Sequence, residues 1–440
     1  MSPPVRPLEA VEGLTVSLWD PARAPDARGR RWVPVGYLSA QGQARRRFTY
    51  FPDYNGPPLD PLHLDYRGKP PGAQFMPENG KALFGVFRDM LPGHFGLTLL
   101  TRHFPAFGRF DDLAKLAWFG SRVQSGLLFE VAHHETPERY IDGMPYLEVV
   151  RERMIRFQLR ELSQLLDKRN FYGLTSIGGA RPKAAVHLEG RYWIAKFNMP
   201  NDPYQSLARV EHASLRLAAE AGLSVPESRV IILPESGEDV LLISRYDRSS
   251  THRAHRISLK TLTGIDNTGA YGSTADFRDI DRVLKAVGGG GSDQDELIRR
   301  LAFMAGAGVA DNHMGNFEML LDARNAWRLT PAYDLVPVAG NVDFATRLCG
   351  FANPAQALTP HLVPAVARLM HRPLQDVQAL IHTTWAGMAQ HCDRILKECG
   401  VSEADSRVMH QAVPIERLAT LAGASVDFQA KPRAGASFNG

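Results

Sequence analysis

The sequence predicts an α+β chain built in three consecutive parts. Three observations carry this: strand-type alternation near the front, strands interrupted by one amphipathic helix in the middle, and helical periodicity from about residue 249 onward. In residues 14–130, Leu14-Thr15-Val16-Ser17-Leu18-Trp19 and Arg47-Phe48-Thr49-Tyr50-Phe51 alternate as strands, separated by turn-rich stretches such as Asp53-Tyr54-Asn55-Gly56-Pro57-Pro58. Helical patterns follow from Ala82 to Leu91 and from Leu97 to Arg102, which makes a small α+β unit. A Glu- and Arg-rich helix-like linker, Tyr146 to Asp167, leads to residues 150–248. There a glycine-bearing turn precedes the strands Ala184–Leu188 and Tyr192–Phe197, and a helix opens at Glu211 with Ala213, Leu215, Leu217, Ala218 and Ala221 on its apolar face. Residues 249–430 read as helices with strands around one polar loop. Gly288 to Gly291 with Ser292 separates two of the helices, and with no G-K-[ST] after it the run is a turn, not a phosphate loop. Ala430 to Gly440 reads as a frayed tail.

Composition bounds the partners. With 44% hydrophobic and 22% charged residues the chain has the make-up of an ordinary globular protein, and its 440 residues suffice for two or three cores. No apolar run approaches the ~20 residues of a membrane helix, and Met1 to Pro7 lacks a signal-peptide layout. Three cysteines in so long a chain fit reduced thiols, so a cytoplasmic location is expected. Cys392 and Cys399 lack metal-ligand spacing and read as packing residues. The net charge of +4 tilts weakly toward acidic partners. Arg28, Arg30, Arg31 and Arg45 to Arg47 form either a solvated strand face or a set of phosphate contacts; no helix-turn-helix or zinc-finger spacing accompanies them.

The chemistry concentrates in Ala310-Asp311-Asn312-His313-Met314-Gly315-Asn316-Phe317 and in Tyr333-Asp334-Leu335. An Asp, an Asn five residues on and a further Asp have the spacing of a phosphoryl-transfer loop. Asp311 would accept the proton of a substrate hydroxyl, while Asn316 and Asp334 would hold the Mg²⁺ ions that neutralise ATP phosphates. Alone the pattern is weak, since Asp and Asn also favour helix caps and turns. The upstream parts lie in the matching order. Ser176-Ile177-Gly178-Gly179-Ala180-Arg181-Pro182-Lys183 lets backbone N–H groups at Gly178, Gly179 and Ala180 approach phosphates, although it lacks a full G-x-G-x-x-G. Lys196 ends the apolar strand Tyr192-Trp193-Ile194-Ala195 like a phosphate-binding lysine, and Glu211 is placed to pair with it. Lys183 either touches a phosphate or flanks the strand. The order predicts a protein-kinase-like two-lobed fold with an extra N-terminal α+β subdomain and a mainly helical C-terminal lobe.

These segments, together with Gly222-Leu223-Ser224-Val225-Pro226, Arg245-Tyr246-Asp247-Arg248 and Leu329 to Asp334, resemble the HipA kinases, the toxin halves of bacterial toxin–antitoxin pairs. Phe87-Arg88-Asp89-Met90-Leu91-Pro92-Gly93 is similar to the F-x-[ND]-x-L-P-[DEG] element of that family's N-terminal domain, and Phe119-Gly120 with Ser125-Gly126 to its end. Arg181-Pro182 departs from the Gln-Glu of its best-known members. The resemblance implies an ATP- and Mg²⁺-dependent serine/threonine kinase with Tyr246 and His313 in the nucleotide site. It also implies self-phosphorylation at Ser176, with Thr175 as the neighbouring hydroxyl. A translation component, typically an aminoacyl-tRNA synthetase, is the implied substrate. A small helix-turn-helix (HipB-like) antitoxin dimer is the implied partner, through which operator DNA would be met indirectly. Two other classes stay open: a small-molecule phosphotransferase, against which the N-terminal unit speaks, and a silent scaffold, against which intact Asp311, Asn316, Asp334 and Lys196 speak.

Overall fold

A computed structural model describes residues 11–26, 29–41, 45–78, 80–103, 105–131, 141–142, 151, 181, 183–249, 251–268 and 273–423. The Tyr146 to Asp167 linker, apart from Arg151, the glycine turn with Ser176, Gly178, Gly179 and Ala180, and the C-terminal tail lie outside these residues.

The first sheet has the order β4-β3-β2-β1-β5 and is wholly antiparallel, with β1 Gly13–Trp19, β2 Trp32–Gln41, β3 Arg45–Tyr50, β4 Gln74–Phe75 and β5 Leu127–Glu130. Alternation along β3 buries Phe48 and Tyr50, and Phe48 meets Phe87 edge-on. The helical pattern at Ala82 to Leu91 shortens to one turn, α1 (Gly85–Arg88), because Pro92 stops it; α2 (His94–His103) and α3 (Asp112–Phe119, capped by Asp111 on the Ala114 N–H) follow. Arg46 is an exception within the basic clusters. It is buried and pairs with Asp111 at 2.9 Å, while Arg30 pairs with Asp26.

The second sheet runs β6-β7-β8-β10-β9, from β6 Ile141–Asp142, β7 Lys183–Leu188, β8 Arg191–Phe197, β9 Ser228–Ile232 and β10 Asp239–Ser244; only β6–β7 is parallel. Its helix, α4, spans Leu207–Glu220 and is capped by Ser206, so it begins four residues before Glu211. The apolar period ran further upstream than its charged residues suggested. Glu211 therefore sits in the second turn on the buried face. Both lobes hold α4: the Arg209 guanidinium forks onto Asp239 of β10 at 2.6 and 2.7 Å. The Asp405 carboxylate accepts the Gln205 and Ser206 N–H groups at 2.8 and 3.0 Å, and Arg216 pairs with Glu398 at 2.7 Å. A Cβ at Gly387 would lie 2.9 Å from the Glu220 carbonyl, so glycine permits the close crossing there.

The C-terminal lobe carries β11 (Arg256–Ser258), α5 (Leu259–Thr263), α6 (Phe277–Ala286), α7 (Gly291–Ala307), β12 (Glu318–Leu321), β13 (Trp327–Leu329), α8 (Pro354–Ala357), α9 (Leu362–Leu369), α10 (Leu374–Glu398), α11 (Glu403–Ala412) and α12 (Ile415–Ala422). The glycine run separates α6 from α7 and contributes Gly291 to the start of α7. The apolar stripes of α7, α10 and α12 meet in a core containing Phe303, Leu301 and Trp385, whose Nε1 donates to the Ala302 carbonyl at 2.9 Å. Burying a side chain such as Phe303 contributes about 1.5–3 kcal/mol. Cys349, Cys392 and Cys399 are buried free thiols, and burial pushes the Cys392 thiol up to about 12. Among the described residues, no helix is long and apolar enough to cross a membrane.

Candidate active site

Lys196 joins the two lobes. It is the next-to-last residue of β8, on the face opposite the buried Trp193, Ala195 and Phe197. Its Nζ donates to Glu211 Oε1 at 2.5 Å and to Asp334 Oδ1 at 2.6 Å, which ties the strand, α4 and the C-terminal lobe together. The Glu211 side chain is 4% exposed and that of Asp334 29% exposed. Burial works against the Lys196 ammonium, yet Asp334 and Glu211 outweigh it and hold the ammonium above its ordinary range. Burial would raise Asp334 too, but Lys196 and Lys183 keep its carboxyl well below the usual carboxylate range. Glu211, the most enclosed of the three, is pushed up by burial, with Lys196 opposing and Asp334 adding. Lys183 lies directly across from Lys196 in the β7–β8 ladder, and burial lowers it while Asp334 supports its charge.

The loop after α7 turns through Met314–Asn316. Asn316 Nδ2 donates to the Asp311 backbone carbonyl at 2.8 Å, closing the five-residue spacing, and among the described residues no hydrogen bond uses the Asn316 Oδ1 lone pairs. Neither Asp311 nor Asn316 caps an α-helix. The Asp311 side chain is 59% exposed; desolvation and Asp334 raise its carboxyl, against the opposing His313 and Lys183. His313 Nδ1 accepts the Gly315 N–H at 3.1 Å, and its Nε2 stands 4.0 Å from Asp311 Oδ1. Asp334 has φ +58°, a left-handed conformation that Asp tolerates better than most residues and that aims its carboxylate at Lys196.

Tyr246 stacks on Tyr333 with ring centroids 6.3 Å apart and donates to Glu318 Oε2 at 2.9 Å. Glu318 also takes Arg256 at 2.5 Å, and Arg245 forks onto Asp247 at 2.9 and 2.6 Å, so a buried ionic network lies beneath the loop. Arg181 pairs with Asp202.

Two asparagines were missed by sequence reasoning. Asn312 exchanges two hydrogen bonds of 2.9 Å with the Thr346 backbone. Asn267 accepts the Met314 N–H at 2.8 Å while donating to the Ala345 carbonyl at 2.7 Å. Both are buried, and each pins the loop to a distant segment. Asn312 lies inside the quoted motif, which was a usable signal; Asn267 had none.

Two lobes closing on a lysine, a helix glutamate and an acidic loop, with an extra α+β subdomain in front, define a protein-kinase-like fold. The model of the HipA-like C-terminal domain matches residues 175–412, more than half of the chain, and the chain belongs to that family. A protein named “Putative kinase Y4dM” of Sinorhizobium fredii is 31% identical over 157 residues, covering 33% of this chain and 37% of that protein. A second protein of that description, from Haemophilus influenzae, is 25% identical over 181 residues, covering 37% and 53%. The chain thus spans about two fifths to one half of the length of these curated relatives. In fold it is similar to HipA of Shewanella oneidensis, solved with HipB and operator DNA, at a TM-score of 0.64 and 17% identity over 93% of this chain and 98% of that one.

Proposed function

We propose that this chain is an ATP- and Mg²⁺-dependent serine/threonine protein kinase acting as a growth-arresting toxin. The observation that carries the reading is the contact of Lys196 with both Glu211 and Asp334 beside the Asp311–Asn316 loop. The donor set fits a hard divalent cation. Asp334 is held ionised, and Asn316 keeps an amide oxygen after its Nδ2 is used, which together supply the oxygen ligands Mg²⁺ prefers. Bound there, the ion would neutralise charge on the nucleotide's phosphates.

The residues of the chain do the rest. Lys196, oriented by Glu211, binds phosphate oxygens, and Lys183 on the adjoining strand adds positive charge to the same wall. Gly178, Gly179 and Ala180 of the glycine turn would supply backbone N–H donors. Tyr246 supports the site from beneath, where it braces Tyr333 next to Asp334. His313 is used within the loop and biases Asp311 toward its ionised form. Asp311, exposed toward the acceptor side, takes the hydroxyl proton, so catalysis is positioning and electrostatics.

The HipB and operator DNA bound to the Shewanella oneidensis protein support a HipB-like antitoxin dimer as partner here, with DNA met through it. An aminoacyl-tRNA synthetase is the substrate we favour. Self-modification at Ser176, or at Thr175 beside it, would place about −1.5 to −2 charge where ATP phosphates must sit and so switch the enzyme off. Incubation with γ-labelled ATP and Mg²⁺ tests the whole. Label should enter serine of a protein acceptor and the Ser176 peptide, and an Asp311→Ala variant should show neither. Transfer to small alcohols in place of protein would overturn the protein-kinase reading.

A further inference from the structure

We propose that Asp89, in the N-terminal subdomain, is a positioning residue for the phosphoryl-transfer loop. The inference rests on the roles given above to Asp311 and Asn316. Asp89 closes the one-turn helix α1, and its carboxylate reaches Ser258 of the C-terminal lobe. One oxygen, Oδ2, accepts both the Ser258 N–H at 3.0 Å and the Ser258 hydroxyl at 2.8 Å. The two elements are backbone-close, since a Cβ at Gly85 would sit 2.6 Å from Thr261 Cγ2.

Ser258 starts a clamp. Its Oγ accepts the Thr261 N–H at 3.1 Å, so the hydroxyl that Asp89 orients is the cap of α5. The next residue, Leu259, donates its N–H to the Phe317 carbonyl at 2.8 Å, one residue beyond Asn316. Ser258 itself is the register partner of Glu318 in the β11–β12 pair. α5 packs against the Met314–Asn316 turn, and Asn267 a few residues later receives the Met314 N–H. Segment 258–267 therefore grips the loop at both ends, and Asp89 holds the first residue of that segment. Hydrogen bonds to a carboxylate are shorter and about twice as strong as neutral ones, which suits an anchor carried on a separate subdomain. The subdomain is welded to the same region elsewhere. Gly126 donates to the Ala254 carbonyl at 2.8 Å, and His255 links Ser125 Oγ and the Leu59 carbonyl at 2.7 Å each.

The geometry assigns to the N-terminal subdomain a part in setting where Asp311 and Asn316 stand. The test uses the full chain as wild type, Asp89→Ala, Asp89→Asn and Ser258→Ala. Transfer of labelled phosphate from ATP to dephosphorylated casein is measured per nucleotide-binding site, beside amide hydrogen exchange of the 311–318 segment. We expect Asp89→Ala to lose kcat roughly tenfold or more, equivalent to about 1.4 kcal/mol of barrier. KM for ATP should rise by less than kcat falls, because Lys196, Glu211 and Asp334 are untouched and only the Asn316 share of metal binding is disturbed. Amides at 314–318 should exchange faster, Asp89→Asn should recover most of both effects, and Ser258→Ala should repeat the kcat loss. If Asp89→Ala does not fold, the asparagine and serine variants carry the test. Unchanged turnover per binding site, or faster exchange confined to the N-terminal subdomain, would overturn the proposal. A wild type that transfers no phosphate would sink the kinase reading instead, while the exchange data would still decide whether Asp89 steadies the loop.

Discussion

Replacing Lys196 with methionine removes the ammonium lying between two carboxylates, and the structure gives the size and pH dependence of the result. Glu211, almost fully enclosed and 2.5 Å from Lys196 Nζ, is left without its cation. Removing one partner of a buried pair destabilises by about 3–5 kcal/mol. The enclosed carboxylate can relieve that cost by taking a proton. Its pKa is already raised by burial, and Lys196 is the strongest influence opposing the rise, so the variant's Glu211 lies higher still. A group whose folded pKa exceeds its unfolded value of about 4.3 contributes its stability fully below that value. The contribution is lost as pH rises through the folded pKa, by about 1.4 kcal/mol for each intervening unit. The deficit of Lys196→Met relative to wild type should therefore be larger near about pH 8 than near about pH 5.5. Urea unfolding of both proteins at the two pH values measures it. The Lys196→Met/Glu211→Gln double variant should be more stable than the single at the higher pH, since a neutral amide needs no cation. Equal deficits at both pH values, or a double variant weaker than the single, would refute the reasoning.

Three further outcomes are expected. Asp311→Ala should lower turnover by roughly 10²–10⁴, the usual span for a general base, and leave nucleotide affinity measured by calorimetry near wild type. Because desolvation raises the Asp311 carboxyl and His313 opposes that, the acid limb of the kcat–pH profile should lie above the ordinary 3.8 of Asp and move higher still in His313→Ala. Asn267→Ala strands the buried Met314 N–H, while the Ala345 carbonyl keeps the Ser273 hydroxyl, and should cost about 1–3 kcal/mol in urea titrations. Asp405→Ala leaves two N–H groups at the start of α4 without their acceptor and should cost about 2–5 kcal/mol, with faster hydrogen exchange at Gln205 and Ser206.

Much of this architecture was readable from residue order. Strand periods, the amphipathic stretch of α4 and the spacing of Asp311, Asn316 and Asp334 are local properties, and local properties survive translation into structure. The helix start was missed although Ser206, a sound cap, stands directly before the mostly apolar first turn Leu207-Ala208-Arg209-Val210. The Arg46–Asp111 pair, the Asn267 clamp and the Asp89–Ser258 contact were not readable. Each joins residues far apart in the chain, 169 positions in the last case, and a polar side chain carries no mark of a distant partner. The left-handed Asp334 was equally hidden, since Asp visits that region only when its surroundings compel it.

The double anchoring of α4 has a pharmacological consequence. A compound that gains affinity by wedging this helix away from Lys196 must break the Arg209–Asp239 fork, the Asp405 contacts and the Arg216–Glu398 pair together, and must open the tight crossing at Gly387. Such a wedge has no soft direction to push. On the proposed function, inhibitors would have to compete at the site around Lys196 itself, and selectivity would come from the side chains there, not from a displaced helix behind it.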